Sequence, residues 1–518
     1  MPATDPQEPP ASNAPASAPA GSPSALDTAA RAAGAAALLI ALAWLPLLFR
    51  RLLAADDWTL LQAPGVGWTV ELSLRQGRFG GALLQAAGTA LGVDPSRSAP
   101  LTGVLAILLC ALSGAVLLKL WGVRPAEGAP AVLVAALPFV HPLAFEAWTF
   151  RISPLHASSA HALALGGLLL LCRGGRPRTL ALGVALLTCA LGIYQISLNV
   201  ALVVLAIGAL LSLVAAPAEG PERREALLGW LRALGGVAAA SVAALLLGRL
   251  CLLAFQLEPD ARNGLWDLAA PAERARLVLR TLARVLFREK QLGTSVLSAL
   301  QLALAALALA ALGRRFGRRP AELLSGAALL GGALLSTVGV LALVRHFEAA
   351  PRMLTGAGFF WAGALALATR AGAGLARPAW PQRAALAVAG LWTLGALGVD
   401  HRAADELARL NQRDLAVAGR ALARLEADPA WPRLQRLITR GAPIDQVDLP
   451  TLAGYVAPSA LAIPWSMAPL FGALAQRPLL QATDADVAEA DKVCAAGAKW
   501  PAAGSTAITA SGLGVVCF

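Results

Sequence analysis

Apolar residues fall along this chain in long blocks separated by short polar stretches. A bilayer-spanning helix needs about 20 mostly apolar residues, within a range of about 17–25. Eleven blocks meet or approach that length: 32–49, 99–121, 129–145, 157–172, 178–192, 195–216, 230–256, 292–313, 321–344, 353–370 and 383–400. The fifth and sixth form one run broken only at Gly192-Ile193-Tyr194-Gln195. At about 38 residues that run is too long for one span, so two are expected. The pattern predicts an all-α polytopic membrane protein of about 11 transmembrane helices across residues 31–400, followed by a small α+β extramembrane domain at 401–518.

In that tail, residues 401–427 read as one helix with a stripe of Leu407, Leu410, Leu415, Leu422 and Leu425. Asp428-Pro429 ends it, because the residue before a proline avoids the helical region. Residues 505–510 and 514–518 read as a hairpin around Ser511-Gly512. At the other end, residues 1–30 form a Pro/Ala-rich leader. Its first 25 residues hold seven prolines and too little apolar surface to offset the entropy of ordering, so it is expected to be disordered. No basic stretch precedes a short apolar segment and no cleavage site follows one, so it does not read as a signal peptide.

Composition agrees with the blocks. Of the 518 residues 57% are hydrophobic and 14% charged, with a mean hydropathy of +0.63. A soluble domain carries about 25% charged residues, so an ordinary soluble protein is excluded. In a soluble chain a net charge of +12 would point to nucleic acid. Here the basic residues sit at the ends of apolar blocks, where they set membrane orientation, and no nucleic-acid partner is expected. Arg173, Arg176 and Arg178 fill one short loop, Arg314, Arg315, Arg318 and Arg319 a second, and Arg370, Arg377 and Arg383 a third. With eleven spans and a cytoplasmic N-terminus all three lie inside. Segments 50–98, 146–156, 257–291 and 345–352 and the tail then lie outside. Two of them, 50–98 and 257–291, read as interfacial helices. In the second, Arg276, Arg280, Arg284 and Arg288 recur every four residues opposite Leu279, Leu282, Leu286 and Phe287, a pattern that binds a membrane surface or guides an anionic lipid head group.

The outer segments also hold the candidate chemistry, since polar groups kept near a bilayer mark function. Asp56 and Asp57 follow the first span directly and precede Trp58. They read either as a helix cap or as a general base, with a divalent metal beside the pair left open. Arg78 lies between Gly77 and Phe79-Gly80, where it reads equally as an interfacial anchor or a phosphate contact. Glu146 and Arg151 are costly at the membrane boundary without partners. Tyr194 and Gln195, at an outer turn, read as sugar contacts or as an aromatic-belt position. Arg345, His346 and Arg352 lie in a short outer loop that topology does not require to be basic, and guanidinium forks suit phosphate oxygens. His141, His156 and His161 do not have a ligand spacing for one helix. Cys110, Cys172, Cys189 and Cys251 read as small buried hydrophobes. Cys494 and Cys517 are a plausible disulfide if the tail is outside, in an oxidising compartment.

Taken in order, Asp56-Asp57-Trp58, Trp68 leading to Gly77-Arg78-Phe79, Glu146-Ala147-Trp148-Thr149-Phe150-Arg151, Gly192-Ile193-Tyr194-Gln195-Ile196-Ser197 and Trp500-Pro501 with its hairpin resemble the bacterial O-antigen glucosyltransferase family, the Gtr-type members of the GT-C glycosyltransferase superfamily. The high alanine content and the proline-rich leader depart from the family's usual look. The resemblance implies a GT-C-like inner-membrane enzyme that moves a sugar, glucose by family, from a polyprenyl-phosphate donor to a hydroxyl of a cell-surface glycan on the periplasmic face. It implies that Asp56 and Asp57 are catalytic. The mechanism read from the residues has Arg345 and Arg352, with Arg78 and Arg151, bind phosphate, and Trp58, Glu146, Tyr194, Gln195 and His346 bind substrate. The implied partners are the lipid-linked donor, the glycan acceptor and membrane lipids; no cofactor is assigned, and a divalent metal is left open. A multi-span transporter or flippase of lipid-linked sugars is the alternative. It would place its charges at mid-bilayer and show internal repeats, whereas here the charges gather at the outer ends of spans.

Overall fold

A computed structural model describes residues 25–50, 52–62, 67–93, 98–215, 221–260, 270–287, 295–345, 349–370, 380–441, 449–452 and 458–518. The leader before residue 25 and His346 lie outside the described residues.

Each expected apolar block is mostly helical over its described residues. The first is α1 (Ala25–Phe49). Three short helices follow: α2 (Ala55–Gln62), α3 (Gly67–Arg75) and α4 (Phe79–Ala90). Then come α5 (Ala99–Trp121), α6 (Ala129–Val140), the single turn α7 (Phe145–Thr149), α8 (Ser153–Arg173), α9 (Pro177–Ile193), α10 (Ser197–Ala215) and α11 (Pro221–Ala254). The second half carries α12 (Pro271–Phe287), α13 (Ser295–Phe316), α14 (Pro320–Ser336), α15 (Gly339–Leu343), α16 (Gly356–Arg370) and α17 (Trp380–Glu426). Among the described residues, eight helical segments are long and apolar enough to cross a membrane. α9 and α14, with 17 residues each, and α16, with 15, are shorter. The chain is a polytopic all-α membrane protein with a small sheet near its C-terminus.

Lipid-facing and protein-facing sides separate clearly. Leu108, Leu246, Leu253 and Leu324 are more than half exposed on their helices, a pattern water would not tolerate and lipid does. Inward, small residues let helix backbones approach: a Cβ at Gly358 of α16 would lie 2.7 Å from the Pro138 carbonyl oxygen of α6.

Two expectations are corrected. The block 129–145 is not one helix. It stops at Val140, because His141 precedes Pro142, and resumes after a short 3-10 turn. The block 321–344 breaks after Ser336, where β-branched Thr337-Val338 and Gly339 interrupt it. The apolar block 383–400 and the helix expected at 401–427 are one continuous helix: α17 runs 47 residues without interruption, about 70 Å at 1.5 Å per residue. One helix therefore belongs both to the bundle and to the C-terminal region. On α12 (Pro271–Phe287) Leu279 of the apolar face is 63% exposed, as a face meeting a membrane surface would be. Arg274 is buried, donating to the carbonyls of Leu341 in α15 and of Arg345 just beyond it.

Beyond α17 lie α18 (Pro464–Ala475), α19 (Asp484–Ala496) and four strands, β1 (Arg436–Arg440), β2 (Leu480–Gln481), β3 (Thr506–Ile508) and β4 (Leu513–Cys517). The strand order is β2-β1-β4-β3. β1 runs parallel to both neighbours, and β3–β4 is an antiparallel hairpin with Ala507 opposite Val515. Its core of Leu437, Phe471, Leu513 and Val515 extends onto Leu422 and Leu425 of α17 and reaches back to Leu53 and Trp58. Cys494 and Cys517 are joined by a disulfide with a Cα–Cα distance of 5.4 Å.

Candidate active site

The two ends of the bundle differ in chemistry, and α5 connects them. Its 23 residues span about 34 Å, close to the thickness of a bilayer core. At its C-terminal end guanidinium groups cap open carbonyls. Arg370 donates to Trp121 and Gly122, and Arg173 to Lys119 at 3.0 Å. Cations at helix C-termini are favoured by the aligned peptide dipoles. At its N-terminal end Ala99, Thr102 and Gly103 line a small cleft. Trp44, Leu47 and Leu48 of α1, Leu52, Trp148, Thr149, Arg151 and Pro154 complete it. Its wall is apolar apart from Thr102, Thr149 and Arg151, and the Trp148 indole N–H has no hydrogen-bond partner among the described residues.

Asp57 stands beside this cleft and has no exposed surface. One of its oxygens accepts from the Ala54 backbone N–H at 2.9 Å and the other from the Arg151 N–H at 3.0 Å. It thereby ties the start of α2 to the turn before α8. Burial pushes its carboxyl up from 3.8 to about 7. The two backbone donors and the Arg151 charge pull it down less strongly, and neighbouring Asp56 adds a push upward. Asp56, in the same first turn, is partly exposed and accepts the Trp465 indole N–H on Oδ1 at 2.7 Å. Both acids occupy the end of α2 where the helix dipole favours negative charge.

A second pair lies on the next turn. Glu146 is wholly buried and accepts from the Arg352 backbone N–H at 2.9 Å and from its guanidinium at 3.0 Å. Phe150 places its ring 5.2 Å from the same guanidinium. Arg78 stacks 5.4 Å from the Tyr194 ring. A Cβ at Gly192 would run into the Phe79 ring, so this glycine seats Phe79 and with it Arg78 against the Tyr194 turn. Gln195 donates to the Gln76 carbonyl at 2.6 Å and closes that turn. The Tyr194 hydroxyl is buried with no hydrogen-bond partner among the described residues. Burial raises its pKa, the Arg352 and Arg78 charges oppose the rise, and Glu146 adds to it. Tyr194, Arg78, Arg352 and Glu146 therefore lie within electrostatic reach of one another.

The structure thus gathers Arg78, Glu146, Tyr194 and Arg352 in one group, with Gln195 on the turn beside it, and Asp56, Asp57 and Arg151 in another. Phe150, next in sequence to Arg151 and against Arg352, lies between them. The remaining candidates stand elsewhere. Trp58 is 5% exposed and packs into the C-terminal core. The Arg345 side chain is exposed, and its carbonyl is the acceptor for Arg274. Among the described residues no cluster of three or more His, Cys, Asp or Glu could hold a metal ion.

Three positions escaped the sequence reading. Asn411 of α17 exchanges two hydrogen bonds with the Leu53 backbone, both at 2.8 Å, fixing the link that leads into Asp56 and Asp57. Asn199, fully buried, donates to the Thr337 and Met353 carbonyls and accepts from Val340, so it bridges the break after α14 to the residue beside Arg352. Trp465 brings α18 to Asp56. Each acts on a residue more than 130 positions away, a relation that periodicity and short motifs do not carry.

Compared with known protein families, residues 45–362 match Glucosyl transferase GtrII, a stretch that contains both groups of site residues. No curated protein matches the chain, and no solved structure does.

Proposed function

The chain belongs to the glucosyl transferase GtrII family, and from that premise we propose that it moves glucose from a polyprenyl-phosphate donor to a hydroxyl of a cell-surface glycan such as O-antigen, at the periplasmic face of the bacterial inner membrane. The observation that carries this reading is the apolar cleft with Arg151 in its wall, beside two carboxylates at one end of the spans. A lipid tail suits the apolar wall, and the guanidinium suits a phosphate. The arginine caps gather at the opposite end, and basic residues mark the cytoplasmic side, which supports an outer site.

The chemistry is a single displacement. The acceptor oxygen bonds to the anomeric carbon as the bond from that carbon to the phosphate oxygen breaks. The hydroxyl proton goes to a carboxylate, and the lipid phosphate leaves with the electron pair. Attack opposite the leaving group inverts the anomeric centre. A general base must come within about 2.6–3.2 Å of the proton it takes. Asp56 is the accessible carboxylate and is assigned that role. Asp57, buried with both oxygens bonded, is assigned the positioning of Arg151. Arg151, Arg78 and Arg352 are assigned to the phosphate, where fixed positive charge stabilises the leaving group. Glu146 orients Arg352, and the Tyr194 hydroxyl and Trp148 N–H are donors available to the donor head group.

The test is purified protein in vesicles, given polyprenyl-phosphate glucose labelled in the sugar, with a surface glycan as acceptor. Label is expected in the glycan. Transfer from a nucleotide-linked glucose and not from the lipid-linked one would overturn the donor assignment.

A further inference from the structure

Trp465 presents an arrangement that folding alone does not demand. It stands one residue after Pro464, at the start of α18. Further along that helix Met467, Ala468, Leu470 and Phe471 pack inward, between 0% and 5% exposed, while Trp465 is 42% exposed. Large aromatic surface is normally buried, since it carries the largest apolar area of any side chain. The Trp465 residue is held from two directions. Its N–H is committed to Asp56 Oδ1 at 2.7 Å, and its carbonyl accepts the Thr59 hydroxyl of α2 at 2.8 Å. Among the described residues Asp56 makes no second side-chain hydrogen bond, so Oδ2 is open to an incoming hydroxyl.

The geometry points to Trp465 as the floor of an acceptor-sugar subsite. The ring is fixed at its polar edge beside the proposed base and offers apolar surface to solvent. A pyranose has one apolar C–H face and a rim of hydroxyls. Resting that face on the indole directs a rim hydroxyl toward Asp56 Oδ2. The ligand class is a neutral pyranose unit of a glycan. Because Trp465 is supplied by the C-terminal region while the cleft and Arg151 belong to the N-terminal part of the chain, acceptor and donor are recognised by different parts of it. The inference rests on the assignment of Asp56 as the base.

The experiment titrates full-length protein in detergent micelles, with no donor present, with glucose-, mannose- and rhamnose-based tetrasaccharides, and follows binding by calorimetry. Wild type is expected to bind at least one of them. Trp465→Ala should bind it about tenfold or more weakly, and Trp465→Phe, which keeps a ring face, within about threefold. Trp380→Ala, which removes another exposed tryptophan at the first residue of α17, should bind as wild type does. If Trp465→Ala fails to fold, Trp465→Leu decides, since it keeps apolar bulk without a ring. Absence of binding by wild type, or equal binding by the folded Trp465 variants, would overturn the inference. Glucose transfer by wild type is scored separately. Transfer with unaltered glycan binding in the variants sinks the subsite alone. Ring-dependent binding without transfer sinks the glucosyl-transfer reading alone.

Discussion

Replacing Asp57 by asparagine separates what this residue does for the fold from what it does for the reaction. The carboxyl shifts from 3.8 to about 7 on burial. At 1.36 kcal/mol per pKa unit, the folded protein carries a charge-burial cost of about 4 kcal/mol once Asp57 is ionised. The folded state holds the Asp57 proton more tightly than the unfolded chain. The stability linked to that proton is complete below about pH 4 and is lost as pH rises to about 7. Asparagine has no charge to bury, but its amide faces one of the two backbone N–H donors and loses a hydrogen bond, a cost of about 1–3 kcal/mol. Asp57→Asn should therefore be less stable than wild type near pH 4 and equal or more stable near pH 8, with the difference moving by about 4 kcal/mol across that range. Denaturant unfolding in detergent micelles between pH 4 and pH 8 measures it. Parallel curves for the two proteins would refute the buried, raised carboxyl.

Three further outcomes follow from other parts of the site. Arg352→Gln should cost about 3–5 kcal/mol by leaving Glu146 charged and buried, and the double variant with Glu146→Gln should cost less than the sum of the singles, read from an unfolding double-mutant cycle. Asn411→Ala removes both bonds to Leu53 and should destabilise by about 2–3 kcal/mol while lowering kcat more than it changes KM, measured by unfolding and by initial rates. Reducing the Cys494–Cys517 bridge should destabilise the C-terminal region by about 3 kcal/mol, seen as an earlier unfolding of the β-sheet tail in hydrogen exchange.

The helices were legible because hydrophobic block length is a strong, local signal. The 99–121 block coincides with α5 at both ends, and the hairpin residues around Ser511-Gly512 are paired as expected. What was illegible is long-range. β1 and β2 are short and pair with strands far along the chain, so no local alternation announces a four-stranded sheet. The continuity of α17 was obscured by Asp400-His401-Arg402, which end the apolar run but not the helix, since none of them breaks it. For the candidate site, Asp56, Asp57, Glu146 and Arg151 stand out in the sequence because charge at a span end is costly. Asn411, Asn199 and Trp465 are ordinary residues by composition, and only the folded chain shows what they hold.

The central claim is that Asp56 takes the proton of an acceptor hydroxyl in glucose transfer from a lipid-linked donor. The direct measurement compares wild type, Asp56→Asn and Asp57→Asn in vesicles supplied with labelled polyprenyl-phosphate glucose and glycan. Asparagine at 56 keeps an oxygen for the Trp465 N–H, so the fold should stand while kcat falls by about two to four powers of ten. Asp57→Asn should retain much more of the activity. Full transfer by Asp56→Asn, with the loss confined to Asp57→Asn, would contradict the account.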